Sequence, residues 1–216
     1  MMLGLLTEIR NHPKGLLTLF LTELWERFSY YGMRAILVLY LVSEHNSSNP
    51  GLGWSNSEAI KLYGWYTALV YLACIPGGII GDKYLNNRDA VSIGGAFLCI
   101  GHLTLAIQNQ SCFFMGLILI ITGVGLLKPN ISTLVGQLYK ENDDRRDQGF
   151  TIFYIGINIG AFFSSLIVGY IGEVYGWHYG FSLAGFGMII GQYFFLKGKK
   201  KFSEIVDDFL QFIQNK

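Results

Sequence analysis

Six mostly apolar stretches, each of roughly 18 to 28 residues and separated by short polar segments, restrict the folds open to this chain more than any other feature. Crossing about 30 Å of hydrocarbon takes about 20 residues of α-helix. Lipid offers no partner to backbone N–H and C=O groups, so a helix must satisfy them internally. The spans run from about Gly15 to Val42, Leu62 to Gly81, Ala90 to Gln108, Ser111 to Leu138, Phe150 to Ile171 and Tyr179 to Leu196. With 51% hydrophobic and 14% charged residues, the prediction is an all-α integral membrane protein. Residues 15–196 form a six-transmembrane-helix bundle between an amino-terminal segment, 1–14, and a tail, 197–216. The first apolar run is too long, and lacks the small-residue cleavage site, to be a secretory signal. It is expected to stay in the mature chain.

Cytoplasmic loops of membrane proteins retain lysine and arginine. The amino terminus, the second and fourth connections and the tail hold Arg10, Lys14, Lys83, Arg88, Lys140, Arg145, Arg146, Lys197, Lys199, Lys200, Lys201 and Lys216, whereas the other three connections hold only Lys61. Both termini are therefore expected in the cytoplasm, with the protein in an inner or plasma membrane. The remaining basic residues, Arg27, Arg34 and Lys128, fall inside spans. A net charge of +1 gives no argument for nucleic-acid binding. Cys74, Cys99 and Cys112 form no CxxC pair and read as small buried hydrophobes, so no metal and no cofactor is expected.

Glycines recur within the spans, as Gly77-Gly78, Gly94-Gly95, Gly156 with Gly160, and Gly187 with Gly191. Small residues at such spacing let helices approach closely in a bilayer. Beyond the sixth span, Phe202, Ile205, Val206, Phe209, Leu210 and Ile213 repeat at helical spacing after a lysine run, as in an amphipathic helix on the membrane surface. It is either a connector to further chain or a solvated tail.

The first span carries Glu23, Glu26, Arg27, Tyr30, Tyr31 and Arg34. At about 100° per residue, Arg27, Tyr30 and Arg34 lie within roughly 40° of Glu23 around the helix, with Glu26 and Tyr31 flanking them. A charge at membrane depth costs about 2.5 to 3.5 kcal/mol even on the mildest scale. Two acids and two bases on one face must look into a hydrated cavity or at each other, as a site or as a packing network. Their chemistry suits proton coupling with an anionic ligand. A carboxylate beside an arginine changes its proton affinity when the arginine is engaged elsewhere, and arginine's planar fork matches a ligand carboxylate.

The fourth span adds Lys128 before Pro129, a buried cation at a possible kink, or else a snorkelling lysine. The fifth carries Asn158, a ligand contact or an amide bridging two helices.

At these residues the chain resembles the proton-dependent oligopeptide transporter (POT) family of the major facilitator superfamily. The resemblance rests on Glu23-xx-Glu26-Arg27-Phe28-x-Tyr30-Tyr31-Gly32, on Gly123-x-Gly-Leu-Leu-Lys128-Pro129-Asn130, on Phe150-xx-Phe153-Tyr154-Ile-Gly-Ile-Asn158-Ile-Gly160 and on Tyr175-Gly-Trp177-His178-Tyr179-Gly-Phe181, in that order across nearly all of 16–196. It implies the amino-terminal half of a major facilitator fold and proton-coupled symport of di- and tripeptides. It implies that Glu23, Glu26, Arg27 and Lys128 serve proton coupling and that Arg27, Arg34 and Lys128 neutralise the peptide carboxylate. Tyr30, Tyr31, Tyr71 and Asn158 would contact the peptide, and Asp82 and Pro129 would belong to a gate. Gly81 and Lys83 stand where the family usually has alanine and arginine, and Pro76 precedes them. Family members have two six-helix halves, so a second bundle is the implied partner, besides peptide, protons and lipid.

The same buried cations would serve another small anionic solute, and an inactive fragment is the non-transport alternative. An enzyme is not expected, for the chain shows no triad, metal cluster or nucleotide loop.

Overall fold

A computed structural model describes residue 9 and residues 11–140 and 142–214, with side chains described through residue 199. Among them are six long helices: α1 (Gly15–Val42), α2 (Asn56–Lys83), α3 (Asn87–Leu105), α4 (Gln110–Gln137), α5 (Arg146–Tyr175) and α6 (Trp177–Gln214). Each predicted span lies within or over one of them, so the all-α bundle is as expected.

The differences lie at the ends. Ser55 caps α2 and pairs reciprocally with Glu58, a capping box that starts this helix six residues before its apolar run. The connection between α5 and α6 shrinks to Gly176, at φ 130° and ψ 145°, a conformation open to glycine. Asn49 from the first connection clamps this joint. Its amide donates to the Gly172 carbonyl at 2.8 Å, its side-chain oxygen accepts from the Trp177 N–H at 3.2 Å, and its main-chain carbonyl accepts from the indole of Trp177 at 3.0 Å. At the other end α6 continues unbroken through the lysine run to Gln214. The apolar side chains expected on an amphipathic tail lie outside the described residues.

Four helices, α2, α4, α5 and the described part of α6, are long and apolar enough to cross a membrane by length and composition alone. The other two carry the polar chemistry: α1 holds four ionisable groups, and α3 opens on Asn87-Arg88-Asp89 and buries His102.

The closest pairings are α3 with α4, α1 with α5 and α6, and α2 with α4, while α3 meets α6. Glycines make these crossings tight. A methyl group at Gly123 would lie 2.8 Å from the Gly94 carbonyl oxygen, and one at Gly116 would lie 2.9 Å from that of Gly101. On α5 and α6, Gly156 faces Phe20 and Gly187 faces Phe28 across the same kind of contact. By contrast α1 barely touches α2 or α4, which leaves a seam along the face of α1 that bears the charges.

Candidate functional site

Three charges occupy one turn of α1 and are almost wholly inaccessible: Glu23 is 2%, Glu26 0% and Arg27 3% exposed. The Nε of Arg27 lies 3.1 Å from Glu23 Oε1 and also donates to Glu26 Oε2. One N–H thus faces two carboxylates, and the two acids outnumber the base. Glu23 Oε2, Glu26 Oε1 and Arg27 Nη2 find no protein partner. Removing charges from water costs several kcal/mol per ion, repaid only when their hydrogen bonds are complete. This cluster leaves two acceptors and one donor open to a proton or to a polar group from elsewhere.

One and two turns further along, Tyr30 and Tyr31 stand between Arg27 and Arg34. Each guanidinium carbon lies 5.4 Å from the centroid of the Tyr30 ring and 5.8 Å from that of Tyr31, within cation–π range. Tyr31 and Arg34 are half-buried, whereas Tyr30 is buried and its hydroxyl has no partner. From α2, Tyr63 accepts a hydrogen bond from Arg34 Nη2 and lies 5.0 Å below its guanidinium carbon. Tyr66, one turn on, is buried with its hydroxyl unpartnered.

Lys128 of α4 meets a ring of α2. Its Nζ sits 4.4 Å from the centroid of Tyr71, which is 52% exposed on α2. The structure thus groups Glu23, Glu26, Arg27, Tyr30, Tyr31 and Arg34 on α1, and sets Lys128 with Tyr71. Asn158 is not joined to either group: it is exposed on α5 and its amide donates to the Tyr154 carbonyl of its own helix at 2.9 Å. It bridges no pair of helices, contrary to the packing alternative.

Asp82 and Pro129 lead to a second polar centre, where α2 ends and α3 begins. α4 runs on through Pro129. The next residue, Asn130, is 1% exposed, and its amide donates to the Gly77 carbonyl at 3.1 Å and to that of Leu126 at 2.7 Å. Its oxygen accepts from Asn87 Nδ2 at 2.7 Å, which also donates to Asp82 at 3.1 Å, while Gln137 donates to Asn87 Oδ1 at 3.1 Å. Gly81 is where it must be for this arrangement, because any Cβ there would collide with the Asn130 amide.

Sequence reasoning missed Tyr63, Tyr66, Asn87 and Gln137 as members of these centres. Tyr63 and Tyr66 stand three residues apart on α2, a spacing that puts them on neighbouring positions of one helical face, and they could have been matched to the face of α1. Asn87 and Gln137 carry no local signal.

The sequence model of the POT family matches residues 88–209, more than half of the chain. A di-/tripeptide transporter of Lactococcus lactis subsp. lactis (strain IL1403) is 49% identical over 197 residues, which cover 90% of this chain and 40% of that protein. The uncharacterized transporter YclF of Bacillus subtilis (strain 168) is 48% identical over 192 residues, 88% of this chain and 39% of that one. A crystal structure of a peptide transporter POT in complex with sulfate superposes with a TM-score of 0.85 at 50% identity, covering 88% of this chain and 38% of the other. The chain thus spans about 40% of the length of the curated relatives it matches, and its helices take the arrangement of a major facilitator bundle. By sequence and by fold, it belongs to the POT family of membrane transporters.

Proposed function

We propose that this chain supplies one half of a proton-coupled carrier of di- and tripeptides, and that α1 holds both its proton site and its carboxylate site. The buried cluster of Glu23, Arg27 and Glu26 carries the proposal, because its surplus acid and open hydrogen-bonding positions are what proton exchange requires. A peptide carboxylate that draws Arg27 toward itself leaves Glu23 with less positive charge nearby, and Glu23 then takes up a proton. Arg34 and Lys128 add the positive charge that binds the carboxylate. Tyr30, Tyr31, Tyr71 and Asn158 contact the rest of the peptide.

The peptide's amino group calls for an acid from a second six-helix bundle, and alternating access takes two bundles rocking about a midplane site. Residues 15–196 act as one such bundle, with 197–216 as a cytoplasmic tail or the beginning of a linker and both termini in the cytoplasm. The centre at Asp82 and Asn130 gates the cytoplasmic end. Being a transporter by family, the chain has no chemical step to catalyse.

The test is to reconstitute this chain into liposomes with the separately expressed carboxyl-terminal bundle of the Lactococcus relative, and to follow labelled dialanine under an imposed inward proton gradient. Uptake is expected from the pair and not from the chain alone. Glu23→Gln is expected to abolish accumulation against a gradient while sparing exchange of peptide for peptide. Intact accumulation in that variant would sink the coupling role, and uptake of nitrate in place of dialanine would move the site to another anion.

A further inference from the structure

The hydrogen bond from Arg34 to Tyr63 is the one hydrogen bond among the described residues that joins α1 directly to α2, two helices that otherwise scarcely touch. Its surroundings define what it does. Tyr30 and Tyr31, from α1 itself, flank the Arg34 guanidinium at 5.4 and 5.8 Å. Attraction to ring faces holds the plane of a guanidinium but does not choose its rotation within that plane, because a ring quadrupole has no preferred N–H. A hydrogen bond to a fixed oxygen does choose it. Tyr63 supplies that oxygen, together with a third ring at 5.0 Å.

We infer that Tyr63 is a positioning residue for Arg34, reaching across from α2 to turn the guanidinium so that its remaining N–H groups meet a ligand carboxylate. The inference rests on the carboxylate-binding role of Arg34 given above and adds to it a residue on a different helix. The geometry leaves the rest of the fork available. Tyr63 engages Nη2, whereas Arg34 Nε is buried without a partner, and arginine binds carboxylates through two adjacent N–H groups. An arginine side chain has many rotamers to lose on binding, so one held in its binding orientation beforehand binds more tightly. Tyr63 itself is set in place by its helix: Tyr66, Val70, Gly77 and Gly81 continue the same inward stripe of α2 and are all buried.

Tyr63→Phe removes the oxygen and keeps the ring, so folding and the cation–π contact persist. Two measurements test the inference. The first is nitrogen-15 NMR of the arginine side chains in the purified chain, with the Arg34 signals assigned through Arg34→Lys. The Arg34 guanidinium is expected to rotate slowly in the wild type and rapidly in Tyr63→Phe. The second is dialanine transport by the reconstituted pair of bundles. Tyr63→Phe is expected to raise the apparent KM about tenfold, the scale of one hydrogen bond to a charged group, with the maximal rate unchanged. It is also expected to have no further effect in an Arg34→Lys background.

Rotation that is equally fast with and without the Tyr63 oxygen would overturn the inference. So would an unchanged KM, or a KM that rises equally in the Arg34→Lys background. Absence of transport by the wild-type pair would instead overturn the transport proposal. The NMR measurement needs no ligand and would still decide the tether.

Discussion

Two polar centres lie inside this bundle, and they treat their hydrogen-bonding capacity in opposite ways. Around Asn130, two amides close on each other, on main-chain carbonyls, on Gln137 and on Asp82: both N–H groups of Asn130 and of Asn87 are used, and both amide oxygens accept. Around Arg27, charged groups are buried more deeply as a set, yet Glu23, Glu26 and Arg27 each keep an atom with no partner. A saturated network has little to offer a ligand and loses stability when a member is removed. An unsaturated ionic one is costly at rest and is relieved by whatever binds. The amide centre therefore reads as a joint between α2, α3 and α4, whereas the ionic centre keeps the open positions on which the proposed exchange of a proton rests.

Arg27→Met should have the largest effect, because it leaves two buried carboxylates without their cation. A loss of about 3 to 5 kcal/mol is expected, read as a shift in unfolding by sodium dodecyl sulfate in mixed micelles. Converting Glu23 and Glu26 to glutamine in the same chain should restore part of it. A loss below about 1 kcal/mol would place both acids in contact with water and end the contrast with the amide centre.

Asn130→Ala comes next, at about 1 to 3 kcal/mol, the cost of leaving buried partners unmet. Its effect should fall on stability, with a smaller change in the KM for dialanine than Arg34→Lys produces. A KM effect larger than that of Arg34→Lys would make the amide centre part of the ligand site.

Gly81→Ala sharpens the same point without removing a polar atom. Its methyl group displaces the Asn130 amide, so it should cost about as much as overpacking elsewhere, about 1 to 3 kcal/mol. In an Asn130→Ala background the cost should largely vanish. Additive losses would show that Gly81 is small for some other neighbour.

The smallest effect belongs to a charge pair outside the membrane. In the connection between α4 and α5, the Arg145 side chain donates two hydrogen bonds to the Asp143 carboxylate, at 3.0 and 2.7 Å, and its backbone N–H a third at 3.0 Å, and these hold the carboxyl down to about 2. A carboxyl depressed in the folded state contributes its stability in full above its ordinary value near 3.8 and loses it as the pH falls through about 2. Wild type and Asp143→Asn should therefore differ in thermal stability by the same small amount from pH 5 to 8, and converge only at strongly acidic pH. Salt should shrink the gap, since the pair is exposed. A gap that opened or closed between pH 5 and 8 would point to a different titrating group.

The ionic centre was legible because its members are neighbours in sequence. Residues 23, 26, 27, 30, 31 and 34 share one face by helical geometry alone, and their cost in lipid marks them. The six spans were legible for a related reason, since hydrophobic length is a local property. The amide centre was not. Asn87 and Asn130 are 43 positions apart, and a single asparagine near a helix end reads equally well as a cap. The early start of α2 was hidden because apolar runs reveal where a helix is buried, whereas the Ser55–Glu58 cap reveals where it begins. Tyr63 lay inside the predicted span, but its approach to Arg34 depends on how α2 sits against α1, which no local pattern gives.

Gly176 has a mechanical consequence. A hinge absorbs motion by having free torsions, and the joint between α5 and α6 has almost none to give. It is one residue long, and Asn49 ties it on both sides, to the Gly172 carbonyl and the Trp177 N–H. Two rods joined in this way transmit a tilt instead of dissipating it, so α5 and α6 swing as a single stiff hairpin. Thirteen residues separate α1 from α2, and those helices share little surface. Compliance in the bundle is thus distributed unevenly: stiff at the α5–α6 end, slack across the seam where the charges and the Arg34 tether lie.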